Sequence, residues 1–320
     1  MYKSNGKTFQ TLHEYFNHVA DSVGTPRVHQ HFESDSVLSD GLKLHLDVLE
    51  YSADAPTIVF IPGTAIYAMC YAELLYALGQ QGFNVVGFDP RGHGRSEGAR
   101  GDYTIPELMT DTQNVITYAI GRFNNKVSVM GSSQGGIVAF YLAAEDERIH
   151  SVICQCLADM SMPETETLAR WPWLIKSFKA VASRVGHLIP NIQMPIESYI
   201  DLSEIPLRHF GSIRKFIQQD PLSLQTVSMR ALKSLAFEEL SKPIEEIKVP
   251  VLILLGTDDS IFTVPYTRKI YDRIESDKKL VLYHGKSHGL LMEALDEVVP
   301  EITEWMESIY GMSYRHKLRA

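Results

Sequence analysis

Along residues 8–24 the apolar positions Phe9, Leu12, Phe16, Val19, Ala20 and Val23 recur at intervals of three and four, which predicts an amphipathic helix ahead of the main fold. Shorter apolar runs follow at 28–32, 42–51 and 57–61, separated by Ser-Asp, Asp-Gly and Asp-Ala-Pro. Their length and punctuation predict three strands. From there the two periods alternate, with strands over 84–89, 126–130 and 150–157 and helices over 105–122 and 133–145. Helical crossovers join parallel strands, so the pattern predicts a sheet that starts antiparallel and continues parallel, with helices on both faces.

The alternation stops between Asp159 and about residue 246, where Trp171, Trp173, several prolines and helical stripes occur without strand signals. It resumes with a strand over 249–255, a helix near 265–275, a strand over 279–283 and a last helix near 289–309. The expected fold is therefore α/β: a mostly parallel eight-stranded sheet flanked by helices, with a helical cap inserted after strand six. The expected division is an N-terminal helical extension (1–26), a core (27–158 and 246–311), a cap (159–245) and a frayed basic tail (312–320).

Chemistry enters at Gly131, Ser132, Ser133, Gln134 and Gly135, which join the strand at 126–130 to the helix after it. A strand that turns directly into a helix holds the central Ser in a strained conformation, and glycines two residues to either side leave room for the turn. Ser133 is thus the candidate nucleophile. Ser132 does not compete, because its window would need Gly at Met130 and Gln134. Gly136 would let the helix pack closely on the sheet.

A serine hydroxyl needs a base and an orienting carboxylate. Both should follow it from loops at the C-terminal ends of parallel strands, where α/β sheets bind ligands. Asp258 and Asp259 follow the strand ending at Leu255, and His284 and His288 follow the strand ending at Tyr283. Asp259 is preferred because two residues let the chain leave the strand before the carboxylate is presented. His288 is preferred because it lies beyond a Gly-Lys-Ser loop, free to reach back over the turn. The two backbone donors for a tetrahedral intermediate are expected from Gln134 and from Thr64, after Pro62 and Gly63.

With 320 residues and 45% hydrophobic content the chain can bury one large core and carry a subdomain. A net charge of −9 argues against a phosphate-backbone partner, which would favour a clustered basic surface, so no nucleic-acid binding is expected. Of three cysteines, Cys154 and Cys156 fall two apart on a strand and read as small buried hydrophobes. No cofactor and no metal site is expected. His284 and His288 are four apart on a loop unsuited to a zinc pair, and His29 and His31 line one face of a strand. The N-terminus lacks an apolar leader core and no window reaches membrane-span length, so a cytoplasmic protein is expected.

Asp89, Pro90, Arg91, Gly92, His93, Gly94, Arg95, Ser96, Glu97 and Gly98 follow the fourth strand. With that stretch, the turn around Ser133, Gly256 three residues before Asp259, and His288, the chain resembles the α/β-hydrolases. The resemblance covers residues 27–310 and is nearest to the branch of monoglyceride lipases, lysophospholipases and serine aminopeptidase-like hydrolases. It implies Ser133 as nucleophile, Asp259 as acid, His288 as base and the Thr64 and Gln134 amides as oxyanion hole, with Arg91 and His93 shaping a nearby loop. It also implies a small-molecule acyl ester substrate, of acyl-glycerol or lysophospholipid type. Thioester, amide, lactone or carbon–carbon bond hydrolysis on the same triad is the alternative, and a non-catalytic receptor the third reading. Pro62 stands where many relatives have His, and Gln134 where Met or His is frequent, so specificity departs from the common pattern.

In the insertion, Trp171, Leu174, Ile175, Phe178, Val181, Ala182, Val185 and Leu188 form one helical stripe with Lys176, Lys179, Ser183 and Arg184 largely off it. The stripe predicts a cap helix packed over the active-site crevice, with weak contact to an anionic membrane surface as a second reading. Oligomeric state is not legible.

Overall fold

The long apolar runs become the centre of one eight-stranded sheet in the computed structural model, which describes residues 2–4, 7–168, 170–171, 190–202, 205 and 211–312. Its strands are β3 (Glu33–Ser39), β4 (Leu42–Leu49), β5 (Thr57–Ile61), β6 (Asn84–Phe88), β7 (Val127–Ser132), β8 (Ile149–Gln155), β11 (Val251–Gly256) and β12 (Lys278–Tyr283). They lie in the order β12-β11-β8-β7-β5-β6-β4-β3. The β3/β4 and β4/β6 pairs are antiparallel and the remaining pairs parallel. β5, β6, β7 and β11 are buried at every residue, because helices cover both faces of the parallel part.

Two minor antiparallel pairs accompany the sheet: β1 (Tyr2–Ser4) with β2 (Lys7–Phe9), and β9 (Gln193–Pro195) with β10 (Thr226–Ser228). Among the described residues the helices are α1 (Leu12–Val23), α2 (Ala72–Gln80), α3 (Ile105–Arg122), α4 (Gln134–Ala143), α5 (Ile213–Gln219), α6 (Met229–Phe237), α7 (Val264–Arg273), α8 (Leu290–Glu293) and α9 (Leu295–Tyr310). α3 begins at a capping box, with Thr104 accepting from the Glu107 amide and the Glu107 carboxylate accepting from the Thr104 amide. α4, which carries the residue after Ser133, is buried on all sides between sheet and neighbours.

Several local expectations are corrected. The predicted strand at 28–32 is a 3-10 turn, Val28–His31, and the edge strand is β3 instead. Glu33, Ser34, Asp35 and Ser36 give β3 the polar character of an exposed edge, which hides it from a hydrophobic pattern. His29 and His31 therefore share no strand face; His29 packs against Phe16 and His31 stacks on Tyr76, with ring centroids 5.6 and 4.7 Å apart. The first helix starts at Leu12, after β2, because Thr11 and Glu14 form a capping box there. α2 falls in a stretch expected to hold no element, where nearly every residue is apolar or small and no period stands out. The last helix is broken into α8 and α9 at Ala294. The insertion was expected without strands, but it contains β9 and β10, three residues each and too short to show alternation. The predicted stripe helix beyond Trp171 and the tail from residue 313 lie outside the described residues.

Candidate active site

β5, β7, β8, β11 and β12 run parallel and end at the same sheet edge. The loops carrying Thr64, Ser133, Cys156, Asp259 and His288 therefore converge, although up to 224 positions of sequence separate the first from the last. At the end of β7 the chain turns into α4 through Ser133, whose φ of 53° and ψ of −117° lie outside the regions an L-residue prefers. The glycines around it are required by close approach. A Cβ on Gly131 would strike the Gly135 carbonyl, one on Gly135 the Ile61 carbonyl, and one on Gly136 the Cys156 carbonyl. Ser132 points away, accepting from the Tyr71 hydroxyl (2.9 Å) and donating to Gln155 Oε1 (2.6 Å).

Ser133 Oγ lies 3.0 Å from His288 Nε2, and His288 Nδ1 lies 2.7 Å from Asp259 Oδ2. The other Asp259 oxygen accepts from the Ile261 and Phe262 amides, both at 2.8 Å. Burial alone raises the Asp259 carboxyl, but the neighbouring His288 charge, its hydrogen bond and those two amides outweigh it and hold the group below the ordinary carboxylate range. Phe262 stacks parallel on the imidazole, at 5.7 Å between ring centroids. The rivals lie elsewhere: Asp258 is exposed and accepts from Thr257, and His284 is exposed at the end of β12.

The residues of the expected oxyanion hole face each other. Gln134 is the first residue of α4, where an N–H has no intrahelical acceptor. Its side-chain Oε1 accepts from Thr64 Oγ1 (2.7 Å) and from the Tyr103 hydroxyl (3.0 Å), fixing the two loops relative to one another. His93 reinforces this, its ring nitrogens 2.9 Å from the carbonyls of Thr64 and Arg91. Burial lowers the His93 pKa against the opposing pull of those carbonyls. Arg91 in turn is held by the buried Asp111 at 2.6 Å, and Asp89 accepts from the Ala68 amide (3.0 Å) and the Arg95 amide (2.9 Å). The Asp-Pro-Arg-Gly-His-Gly-Arg-Ser stretch is thus a hydrogen-bonded knot that braces the loop after β5.

A cavity of about 50 Å³ opens at Ser133 and His288. Its upper wall comes from the insertion, through Ile196, Ile200, Leu202, Ile205, Ile213 and Ile217. Such a wall suits an aliphatic chain.

Sequence reasoning did not single out Tyr71, Tyr103, Gln155 or the position of Cys156. Cys156 is fully buried with a left-handed φ of 66°, and its thiol donates to Asp259 Oδ2 at 3.2 Å. Burial, then the Asp259 charge, push that thiol well above its ordinary pKa. Among the described residues, Cys156, Asp259 and His288 are the one group of three whose possible metal-ligating atoms come together. Those atoms are already paired with each other as donor and acceptor.

The family model described as serine aminopeptidase, S33, matches residues 53–294. A monoacylglycerol lipase of Mycolicibacterium smegmatis is 26% identical over 277 residues, covering 84% of this chain and 94% of the relative. An uncharacterized abhydrolase domain-containing protein of Dictyostelium discoideum is 25% identical over 261 residues; the match covers 78% of this chain and 26% of that much longer protein. Among solved structures, the crystal structure of the Paleococcus ferrophilus monoacylglycerol lipase superposes with a TM-score of 0.67 at 24% identity, covering 83% of this chain and 99% of that one.

Proposed function

The chain belongs to the serine aminopeptidase S33 family of α/β-hydrolases, and on that premise we propose that it hydrolyses carboxylic esters of acyl-glycerol or lysophospholipid type through Ser133, His288 and Asp259. The observation that carries the reading is the continuous chain from Ser133 Oγ through the two imidazole nitrogens to Asp259, at 3.0 and 2.7 Å. His288 Nε2 takes the Ser133 proton as Oγ attacks the ester carbonyl, and Asp259 orients the ring and stabilises the imidazolium. The carbonyl oxygen becomes negative against the Thr64 and Gln134 amides. His288 then returns the proton to the departing alcohol, leaving an acyl group on Ser133 that water removes by the same steps in reverse order.

The aliphatic wall above Ser133 supports an acyl substrate, as does the similarity to proteins named monoacylglycerol lipase. The test is a panel of p-nitrophenyl esters from acetyl to palmitoyl beside monoacylglycerols and lysophospholipids. Turnover of the glycerol or lysophospholipid esters, lost in Ser133→Ala, is expected. Turnover restricted to thioesters, amides or lactones would move the assignment to another bond type on the same residues.

A further inference from the structure

The N-terminal helix α1 lies before the family match, which begins at residue 53. It is nonetheless fastened to the core beside the site. The Tyr15 and Tyr67 hydroxyls both donate to Asp220 Oδ1, the latter at 3.1 Å, and the same carboxylate accepts from Ser223 Oγ at 2.6 Å. Arg95, in the knot that braces the oxyanion loop, lies over the Phe16 ring at 5.7 Å. One buried carboxylate thus joins α1, the loop after β5 and the insertion.

Beneath the helix is a second cavity of about 150 Å³, with Phe16, Val19 and Ala20 of α1 in its wall and Phe216 of α5 opposite. The cavity is partly open to solvent, with a mainly apolar wall that also holds Thr25, His29 and Glu73; an apolar cavity of this volume accepts a benzene-sized molecule. Ile66, Tyr71, Ile213, Leu291 and Met292 line both this cavity and the one at Ser133. The two spaces are therefore neighbours across one shared set of side chains.

Resting on the ester-hydrolase reading, we propose that this second cavity receives the far end of the substrate's apolar chain, which runs from Ser133 past the shared side chains, and that α1 thereby sets chain-length preference. Val19 offers the test, because a larger side chain there fills the cavity without touching the catalytic residues. In the full-length protein, kcat/KM is measured for Val19→Trp over p-nitrophenyl esters from acetyl to palmitoyl and, separately, over alkyl acetates from ethyl to decyl. The acetyl ester should stay within about twofold of the native rate, while longer esters lose about fourfold per excluded methylene, reaching at least about tenfold. A length-dependent loss in the first series identifies the occupant as the acyl chain, and in the second as the alcohol chain.

Should Val19→Trp fail to fold, Val19→Leu, larger by one methylene, should shift the long-to-short ratio about fourfold in the same direction. Equal losses at every length, or none in either series, overturn the proposal while the ester-hydrolase reading stands. Absence of ester hydrolysis in the native protein overturns both.

Discussion

Exchanging Asp259 for Asn removes one charge at constant shape. Oδ1 of the new residue can still accept from the Ile261 and Phe262 amides, both at 2.8 Å in the native protein, so the loop and the fold should persist. The side-chain amide then faces His288 Nδ1, where a carboxylate oxygen stood at 2.7 Å. Two losses follow. At an effective dielectric of 20, a unit charge pair at about 4 Å is worth about 4 kcal/mol, so the transition-state imidazolium loses about 10³-fold in rate. In addition, an N–H aimed at Nδ1 favours the tautomer protonated on Nε2, which cannot accept from Ser133. Together these predict a fall in kcat of about 10³ to 10⁴, the order found when a serine-protease triad carries the same change. Steady-state hydrolysis of a p-nitrophenyl ester gives the number, and a thermal melt checks the fold. The exposed Asp258→Asn should stay within about threefold of native. An Asp259→Asn enzyme within tenfold of native, or an Asp258→Asn enzyme equally impaired, would refute the reasoning.

His288→Ala should be as inactive as Asp259→Asn while His284→Ala, at an exposed position, keeps near-native kcat; the reverse result would redraw the loop after β12. Gly135→Ala should lower stability by at least about 2 kcal/mol in a denaturant titration, because its Cβ would meet the Ile61 and Pro62 carbonyls. Gly121→Ala, with open space around it in α3, should raise stability by roughly 0.5 kcal/mol. Burial raises the Asp47 carboxyl, but the charge of Arg95 and the hydrogen bonds from His45 and Arg95 outweigh it, so its folded pKa is depressed. That contribution to stability is complete above the unfolded value of about 3.9 and is lost as pH falls through the lower folded value. Asp47→Asn should therefore lower Tm at neutral pH and flatten its decline below about pH 4, which melts across pH would measure.

The parts of the fold that could be read from sequence are those where one physical requirement dominates. β5, β6, β7 and β11 are buried on both faces and so spell short, mainly apolar segments. The turn at Ser133 needs glycine at 131 because a Cβ there would strike the Gly135 carbonyl, and at 135 because one there would strike the Ile61 and Pro62 carbonyls of the loop after β5, so its five-residue pattern is local although only the first of these contacts is. β3 was hidden because its first four residues are polar, and α2 because the sequence around it is apolar or small at nearly every position. The long-range contacts had no local signature. Cys156 reads as a small hydrophobe, and only the adjacency of β8 and β11 sets its thiol against Asp259. Tyr103 reads as a loop aromatic ahead of α3, yet it holds Gln134 from a distance of 31 residues in sequence. The family of α1 positions was legible as an amphipathic helix, but its use depended on what lies beneath it.

The most direct test of the central claim is covalent trapping of the nucleophile. Native protein is treated with a fluorophosphonate, its residual ester hydrolysis measured, and the adduct located by peptide mass spectrometry, with folded Ser133→Ala treated in parallel. One adduct is expected, on Ser133, appearing in step with complete loss of hydrolysis, and neither label nor turnover in the variant. Turnover persisting in folded Ser133→Ala, or inactivation with the adduct on another residue, would contradict that claim.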